Sequence, residues 1–448
     1  MALFRYLTGY LDDFFKVRNS ALLLTGARQT GKTFAIRQLG QKFTSFIEIN
    51  FLESPAAINI FKNVNSAEEI LLRISAFTNQ PLIKNNTLIF FDEVQECEDI
   101  ITAIKFLVDD GKYHYALSGS LLGVEIKDVR SIPVGYMSIK EVYPLDFEEF
   151  IINLGVSDRI LDHLKGCWKE IRPVDYTIHD KLLSLYRLYT VVGGMPAAVA
   201  EYINTNDIRL VSEVQQDIVT LYRKDISKYA EKDKLKIKEI FDLIPSELDA
   251  KNKRFILKSL NQHAKFERYQ NDFLWLKNAG VAIPVYNLEE PKMPLKLAET
   301  RNLFKLFSND VGLLTVQYAN GIQLKLLSGE IDINYGAVYE NVVAQELLCH
   351  GYNPYYYNSK RMGEVDFVIS STKPLPIEVK SGKDYERHNA LNNLLECKEF
   401  EIEIAYVLSN GNIRKKGKII YMPIYMTMFI KQSKIENGIY KIDLSNLQ

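Results

Sequence analysis

An α/β, multidomain organisation is predicted by three observations: the 448-residue length, the alternation of short apolar runs with helical patterns between Ser20 and about Ser120, and a switch to helical periodicity after Tyr143-Pro144-Leu145. A chain this long exceeds one ordinary core and has room for about three domains. The apolar runs Ala21–Thr25, Ser45–Asn50, Thr87–Phe91 and Tyr113–Leu117 each lead through a polar turn into a helix-like stretch such as Ser66–Phe77 or Asp99–Val108. A parallel sheet requires that alternation, because each crossover must return over one face of the sheet. Helices are then expected from Asp146-Phe147-Glu148-Glu149-Phe150, over Lys181–Val192 and over Ile208–Tyr222, interrupted by Gly193-Gly194-Met195-Pro196. From Lys236 to about Leu288, short helices followed by Ala282–Tyr286 suggest a winged-helix-like segment ending in a small hairpin. A second mixed domain follows from about Asn302, with an apolar run at Phe304–Phe307, a helix through Tyr339–Leu348 and strands near Tyr355–Tyr357, Val365–Ile369, Pro376–Val379 and Ile404–Leu408. The expected divisions are residues 1–145, 146–232, 233–300 and 301–448.

Composition narrows the function classes. The 55 basic and 56 acidic residues nearly cancel, so no global field holds nucleic acid or an acidic membrane, and such contacts must come from local patches. Cys97, Cys167, Cys349 and Cys397 are widely separated and form no CxxC pair, which argues against structural zinc and a disulfide framework. The opening MALFRYLTGYLDDFF carries acids where a signal peptide needs basic and apolar stretches, and no apolar run approaches the ~18 residues of a membrane span. The expectation is a cytoplasmic chain without a membrane segment.

Gly26-Ala27-Arg28-Gln29-Thr30-Gly31-Lys32-Thr33, between an apolar run and a helical pattern, has the form of a phosphate-binding loop. Glycine lets backbone N–H groups approach phosphate oxygens in turns that a Cβ would obstruct. Lys32 is placed to bridge the β and γ phosphates and Thr33 to ligate Mg²⁺, at a helix N-terminus whose dipole favours the anion. About sixty residues on, Leu88-Ile89-Phe90-Phe91-Asp92-Glu93 is an apolar strand ending in two acids. Asp92 suits the metal side, and Glu93 the orientation or deprotonation of an attacking water. At the end of the next run, Ser118 or Ser120 of Ser118-Gly119-Ser120 offers a hydroxyl that senses the γ phosphate. The cofactors expected are therefore ATP and Mg²⁺.

A second constellation lies near the C-terminus. Asp366 in Gly363-Glu364-Val365-Asp366-Phe367 precedes Glu378 and Lys380 in Pro376-Ile377-Glu378-Val379-Lys380, and alternation puts Glu378 and Lys380 on one strand face. Carboxylates on neighbouring strands suit one or two Mg²⁺ ions, with Lys380 positioning a water for phosphodiester hydrolysis. Glu340 supplies a further helix carboxylate, with Glu346 as the fallback. Lys251-Asn252-Lys253-Arg254, Lys258 and Arg414-Lys415-Lys416-Lys418 offer local positive charge, and Tyr352, Tyr355, Tyr356 and Tyr357 offer rings for base stacking or for packing.

Taken together, GARQTGKT, FFDEVQ, SGS, YPLDFEEF and VGGMP resemble the AAA-type ATPases of bacteria and archaea that carry a C-terminal domain of unknown function. The resemblance covers nearly the whole chain and includes the segments Leu221–Tyr229 and Phe304–Leu314. The C-terminal order of helix Glu, strand Asp and strand Glu-x-Lys resembles the PD-(D/E)xK nuclease core. These likenesses imply an AAA-like P-loop parallel sheet with a helical lid, the winged-helix-like segment, and a restriction-endonuclease-like α/β domain. The activity implied is an ATPase coupled to a domain that engages DNA or RNA, with or without cutting. The alternative is an ATP-switched adaptor acting on protein partners through a silent nuclease-like domain. Relatives commonly carry Gly-Arg just ahead of the YPL segment, where this chain has Gly135-Tyr136. Arg130 is the nearest substitute for a charge-stabilising finger, and oligomeric state stays open.

Overall fold

The computed structural model describes residues 2–119, 135–229, 233–250, 253–318, 321–329, 335–382 and 384–432. After helix α1 (Tyr6–Val17), the first domain runs β1 (Ala21–Thr25), α2 (Lys32–Gly40), β2 (Ser45–Asn50), α3 (Ala67–Thr78), β3 (Thr87–Asp92), α4 (Asp99–Asp110), β4 (His114–Ser118) and β5 (Met137–Glu141). The strands form a five-stranded sheet in the order β2-β3-β4-β1-β5, with every pairing parallel. Strands β1 and β3 are buried along their whole length, which is why they read as unbroken apolar runs. The edge strand β2 alternates buried and half-buried residues. At the other edge, β5 (MSIKE) carries too few apolar residues to stand out in the sequence. Strand order reverses around β1, so ligands are expected in the crevice at the C-terminal ends of β1 and its neighbours.

Helices α5 (Phe147–Asn153), α6 (Asp158–Glu170), α7 (Tyr176–Val192), α8 (Pro196–Thr205), α9 (Ile208–Tyr229), α10 (Lys234–Asp249) and α11 (Phe266–Asn278) follow. The first starts at a capping box: the Asp146 side chain accepts from the Glu149 amide at 2.7 Å, and Glu149 reaches back to the Asp146 amide. The remaining elements are β6 (Ala282–Leu288), β7 (Glu299–Ser308), α12 (Val311–Thr315), α13 (Ile322–Ser328), α14 (Tyr335–Cys349), β8 (Tyr355–Ser359), β9 (Gly363–Ser370), β10 (Pro374–Val379), α15 (Asn389–Glu396), β11 (Ala405–Ser409), β12 (Arg414–Lys416) and β13 (Ile419–Pro423). Their strands make one eight-stranded sheet, ordered β12-β13-β11-β10-β9-β8-β6-β7.

That sheet corrects the expected division at residues 300 and 301, which falls inside β7. The hairpin is present, with Ala282 opposite Ser308, but it is no free wing, because β6 also pairs in parallel with β8. The first half of β7 is exposed and charged, so only Phe304–Phe307 showed as a run. Packing joins these parts as well. One continuous core includes Phe150, Tyr186 and Tyr222 of the helical block, Phe273 of α11, Phe307 of β7, Val343 of α14 and Ile377 of β10. Among the described residues no helix is long and apolar enough to cross a membrane.

Candidate nucleotide site and the C-terminal carboxylate cluster

The loop between β1 and α2 bends through positive φ at Gly26 (124°), Gln29 (66°) and Gly31 (91°). A Cβ on Gly26 would meet the Val142 carbonyl oxygen at 2.3 Å, so the loop and the end of β5 are locked together by the absence of a side chain. The Lys32 ammonium donates to the carbonyls of Gly26 (2.9 Å) and Ala27 (2.7 Å), and Thr30 closes the loop onto the Ala27 carbonyl at 2.9 Å. Desolvation lowers Lys32 to about 8, against the pull of Glu93 and Asp92. Polyphosphate stabilises the charged ammonium, so nucleotide binding takes up a proton when pH exceeds that value. ATP affinity is expected to fall by about tenfold per pH unit above about 8, measured by nucleotide titration between pH 7 and 10; a flat profile would remove Lys32 from the phosphate contacts.

Strand β3 delivers Asp92 opposite Thr33, whose hydroxyl lies 3.1 and 3.3 Å from the two carboxylate oxygens. Asn50 donates to the same carboxylate at 3.3 Å and the Glu93 amide at 3.1 Å. Burial raises the Asp92 pKa, opposed by hydrogen bonds from Ser118 and Thr33. A hydroxyl and a carboxylate converging in this way fit a Mg²⁺ ion, which takes oxygen ligands and accepts few from protein. Glu93 stands in the left-handed region at φ 57°, uncommon for a long side chain and a strain that accumulates at working sites. Its carboxylate accepts from Gln95 Nε2. Ser118 donates to Asp92, while Ser120 and Arg130 lie outside the described residues.

Several neighbours of the loop were not singled out from the sequence. Arg5 donates to the Thr30 carbonyl at 3.2 Å and the Tyr143 carbonyl at 2.7 Å. Arg28 pairs with Asp225 of α9 at 3.1 Å, and its carbonyl accepts from the Tyr222 hydroxyl at 3.1 Å. Tyr222 in turn receives the Asn309 amide at 3.3 Å. Both partners come from the segments 221–229 and 304–314, quoted above for family likeness but given no role. An apolar cavity of about 140 Å³ beside Gly31 is walled by Leu3, Leu7, Phe34, Ala35, Pro196 and Ala200.

At the C-terminal site, α14 supplies Glu340, β9 supplies Glu364 and Asp366, and β10 supplies Glu378 with Lys380 just beyond it. Asp366 accepts from the Val379 amide at 2.8 Å, and Lys380 pairs with Glu378 at 2.6 Å. Burial, with Glu340 and Glu378 nearby, pushes Asp366 well above the usual carboxylate range. The sequence missed Lys305 of β7, which is fully buried and lies 3.1 Å from Glu340, 2.9 Å from Glu364 and 3.8 Å from Asp366.

Three alternatives open in the sequence are decided here. Glu346 does not join this cluster; it accepts from the Phe147 amide at 2.7 Å, at the start of α5, because it projects from a different turn of α14. Lys253 is no surface charge but pairs with Glu340. Tyr355, Tyr356 and Tyr357 are buried in the cores on the two sheet faces, which takes their rings from base stacking. Lys251 and Asn252 lie outside the described residues. Glu340, Asp366 and Glu378 approach one another, yet among the described residues no three His, Cys, Asp or Glu side chains are arranged to hold a metal ion.

Residues 18–151 match the family model described as AAA domain. The N-terminal part of the chain thus carries a domain of AAA type. Residues 183–324 and 335–426 match two domains of unknown function, DUF8612 and DUF4143. Among solved structures, a Walker-type ATPase of Pyrococcus abyssi is 15% identical with a TM-score of 0.43, over 70% of this chain and 96% of that one. The Orc1 protein of Aeropyrum pernix in complex with DNA is 13% identical with a TM-score of 0.26, over 73% and 93%. AMPPCP-bound DnaA from Aquifex aeolicus is 14% identical with a TM-score of 0.27, over 60% and 76%. The search of curated proteins found no match.

Proposed function

We propose that this ATPase binds and hydrolyses Mg·ATP at residues 26–33, 92 and 93, with Ser118 holding Asp92, and that the nucleotide state governs how its C-terminal nuclease-like domain engages nucleic acid. The observation that carries the reading is the chain of contacts from Arg28 to Tyr222 and on to Asn309, which puts a P-loop carbonyl one side chain away from the end of β7. On ATP binding, the phosphates replace the Gly26 and Ala27 carbonyls as partners of Lys32, and the loop amides turn to the anion. Thr33 and Asp92 would hold a Mg²⁺ ion, which would supply neutralisation of the phosphate charge. Glu93 orients the attacking water and accepts its proton. The aromatic faces of adenine suit the apolar cavity lined by Phe34 and Pro196.

Support for a nuclease-like core comes from the order α14-β8-β9-β10-α15-β11, in which β8, β9 and β10 pair antiparallel and β10 and β11 parallel. Arg414, Lys415 and Lys416 line the exposed edge strand β12 and suit phosphate contacts. Action on a protein partner is the second reading, favoured by the near-cancelling charge. To test the coupling, nucleic-acid affinity would be measured with and without ATP. A shift of about tenfold is expected in the wild type, and its collapse in Tyr222→Phe and Asn309→Ala. Equal affinity in both conditions for the wild type would overturn the coupling.

A further inference from the structure

Resting on the reading of the C-terminal domain as nuclease-like, we infer that Lys305 is a built-in cation occupying the position where such a core would hold its metal, so that this domain binds without metal-dependent cutting. Lys305 enters from β7, a strand outside the α14-β8-β9-β10-α15-β11 order, and its side chain is completely buried. Its ammonium lies 3.1 Å from Glu340 and 3.8 Å from Asp366, two of the three acids expected to hold a divalent ion, and 2.9 Å from Glu364 of β9. Lysines also meet one oxygen each of the other acids, while the second oxygen of Glu378 is buried without a hydrogen-bond partner. Lys253 takes the other oxygen of Glu340, and Lys380 takes Glu378.

Charge closes around this arrangement. Glu340, Glu364, Asp366 and Glu378 face Lys253, Lys305 and Lys380, four carboxyls against three ammoniums. That leaves about one carboxyl charge without an ammonium opposite it. A divalent ion added to this set would create the excess positive charge that burial penalises most. Lys305 has no simple way out, because its backbone is paired with Val285 in the sheet and its ammonium lies 5.4 Å from the Tyr356 ring centroid. Withdrawal would leave the buried Glu340 with Lys253 alone and the half-buried Glu364 with Asn358 alone.

The test uses the full chain without nucleotide and Mn²⁺ as the probe, with bound Mn²⁺ counted by electron paramagnetic resonance. The wild type is expected to show no Mn²⁺ site that Asp366→Asn removes. Lys305→Met, which keeps the length and loses the charge, is expected to gain such a site, and saturating Mn²⁺ is expected to raise its thermal midpoint by about 5 °C. That gain should vanish in Lys305→Met/Asp366→Asn. A wild-type Mn²⁺ site lost in Asp366→Asn would overturn the inference, as would a folded Lys305→Met that takes up no Mn²⁺. Should Lys305→Met fail to fold, the comparison of wild type with Asp366→Asn decides alone. ATP hydrolysis by the same wild-type preparation reports separately on the proposed function: its absence would sink that reading and leave the Mn²⁺ result standing.

Discussion

Glu93→Gln is expected to bind ATP as the wild type does and to hydrolyse it slower by on the order of 10²–10⁴-fold, the range a positioned general base contributes. The amide keeps the size of the side chain and cannot take a proton. Its backbone holds the left-handed turn that aims it away from the strand, and the Asp92 and Thr33 pair beside it is untouched. Lys32→Ala should differ in kind, losing nucleotide affinity together with turnover, because Lys32 is the loop's own ammonium and its partners become phosphate oxygens. Phosphate release and equilibrium binding of a non-hydrolysable analogue, measured side by side, separate the two. Full turnover in Glu93→Gln would move the base elsewhere.

Gly194→Ala is expected to cost about 3 kcal/mol of stability, at the upper end of ordinary overpacking. A Cβ there would meet the Leu145 carbonyl oxygen at 2.0 Å and the Leu145 amide nitrogen at 2.8 Å, and backbone atoms have no rotamer with which to retreat. The same residue donates to the Asp310 carboxylate at 2.6 Å and accepts from the Leu145 amide at 2.7 Å, while Asp310 caps α12 by accepting from Leu313 at 3.0 Å. One glycine thus ties the end of the ATPase sheet, the turn between α7 and α8, and the residue next to Asn309. Urea denaturation checks the value, and a change below about 0.5 kcal/mol, ordinary for a surface substitution, would show that the junction opens easily.

The candidate nucleotide site was legible because each of its parts is local. Residues 26–33 are contiguous, and Asp92 and Glu93 end a strand whose burial on both faces forces an apolar run before them. The central strands β1 and β3 were legible for the same reason, while the edge strand β5 and the first half of β7 were hidden by exposed charge. Long-range placement could not be read. Glu340 and Glu346 stand six positions apart on one helix, and only the packed structure sends the first to Lys305 and the second to the start of α5.

The sequence by itself singled out the candidate phosphate loop, its acidic partners and the set of C-terminal acids, since backbone turns, strand ends and alternation follow from neighbours along the chain. Only the tertiary structure decided that Tyr222 and Asn309 join the P-loop to β7, that the hairpin belongs to the C-terminal sheet, and that a lysine from that hairpin sits among the acids. A buried ammonium needs several carboxylates to hold its charge away from water, and in this chain they come from a helix and a strand that only the completed sheet brings to Lys305.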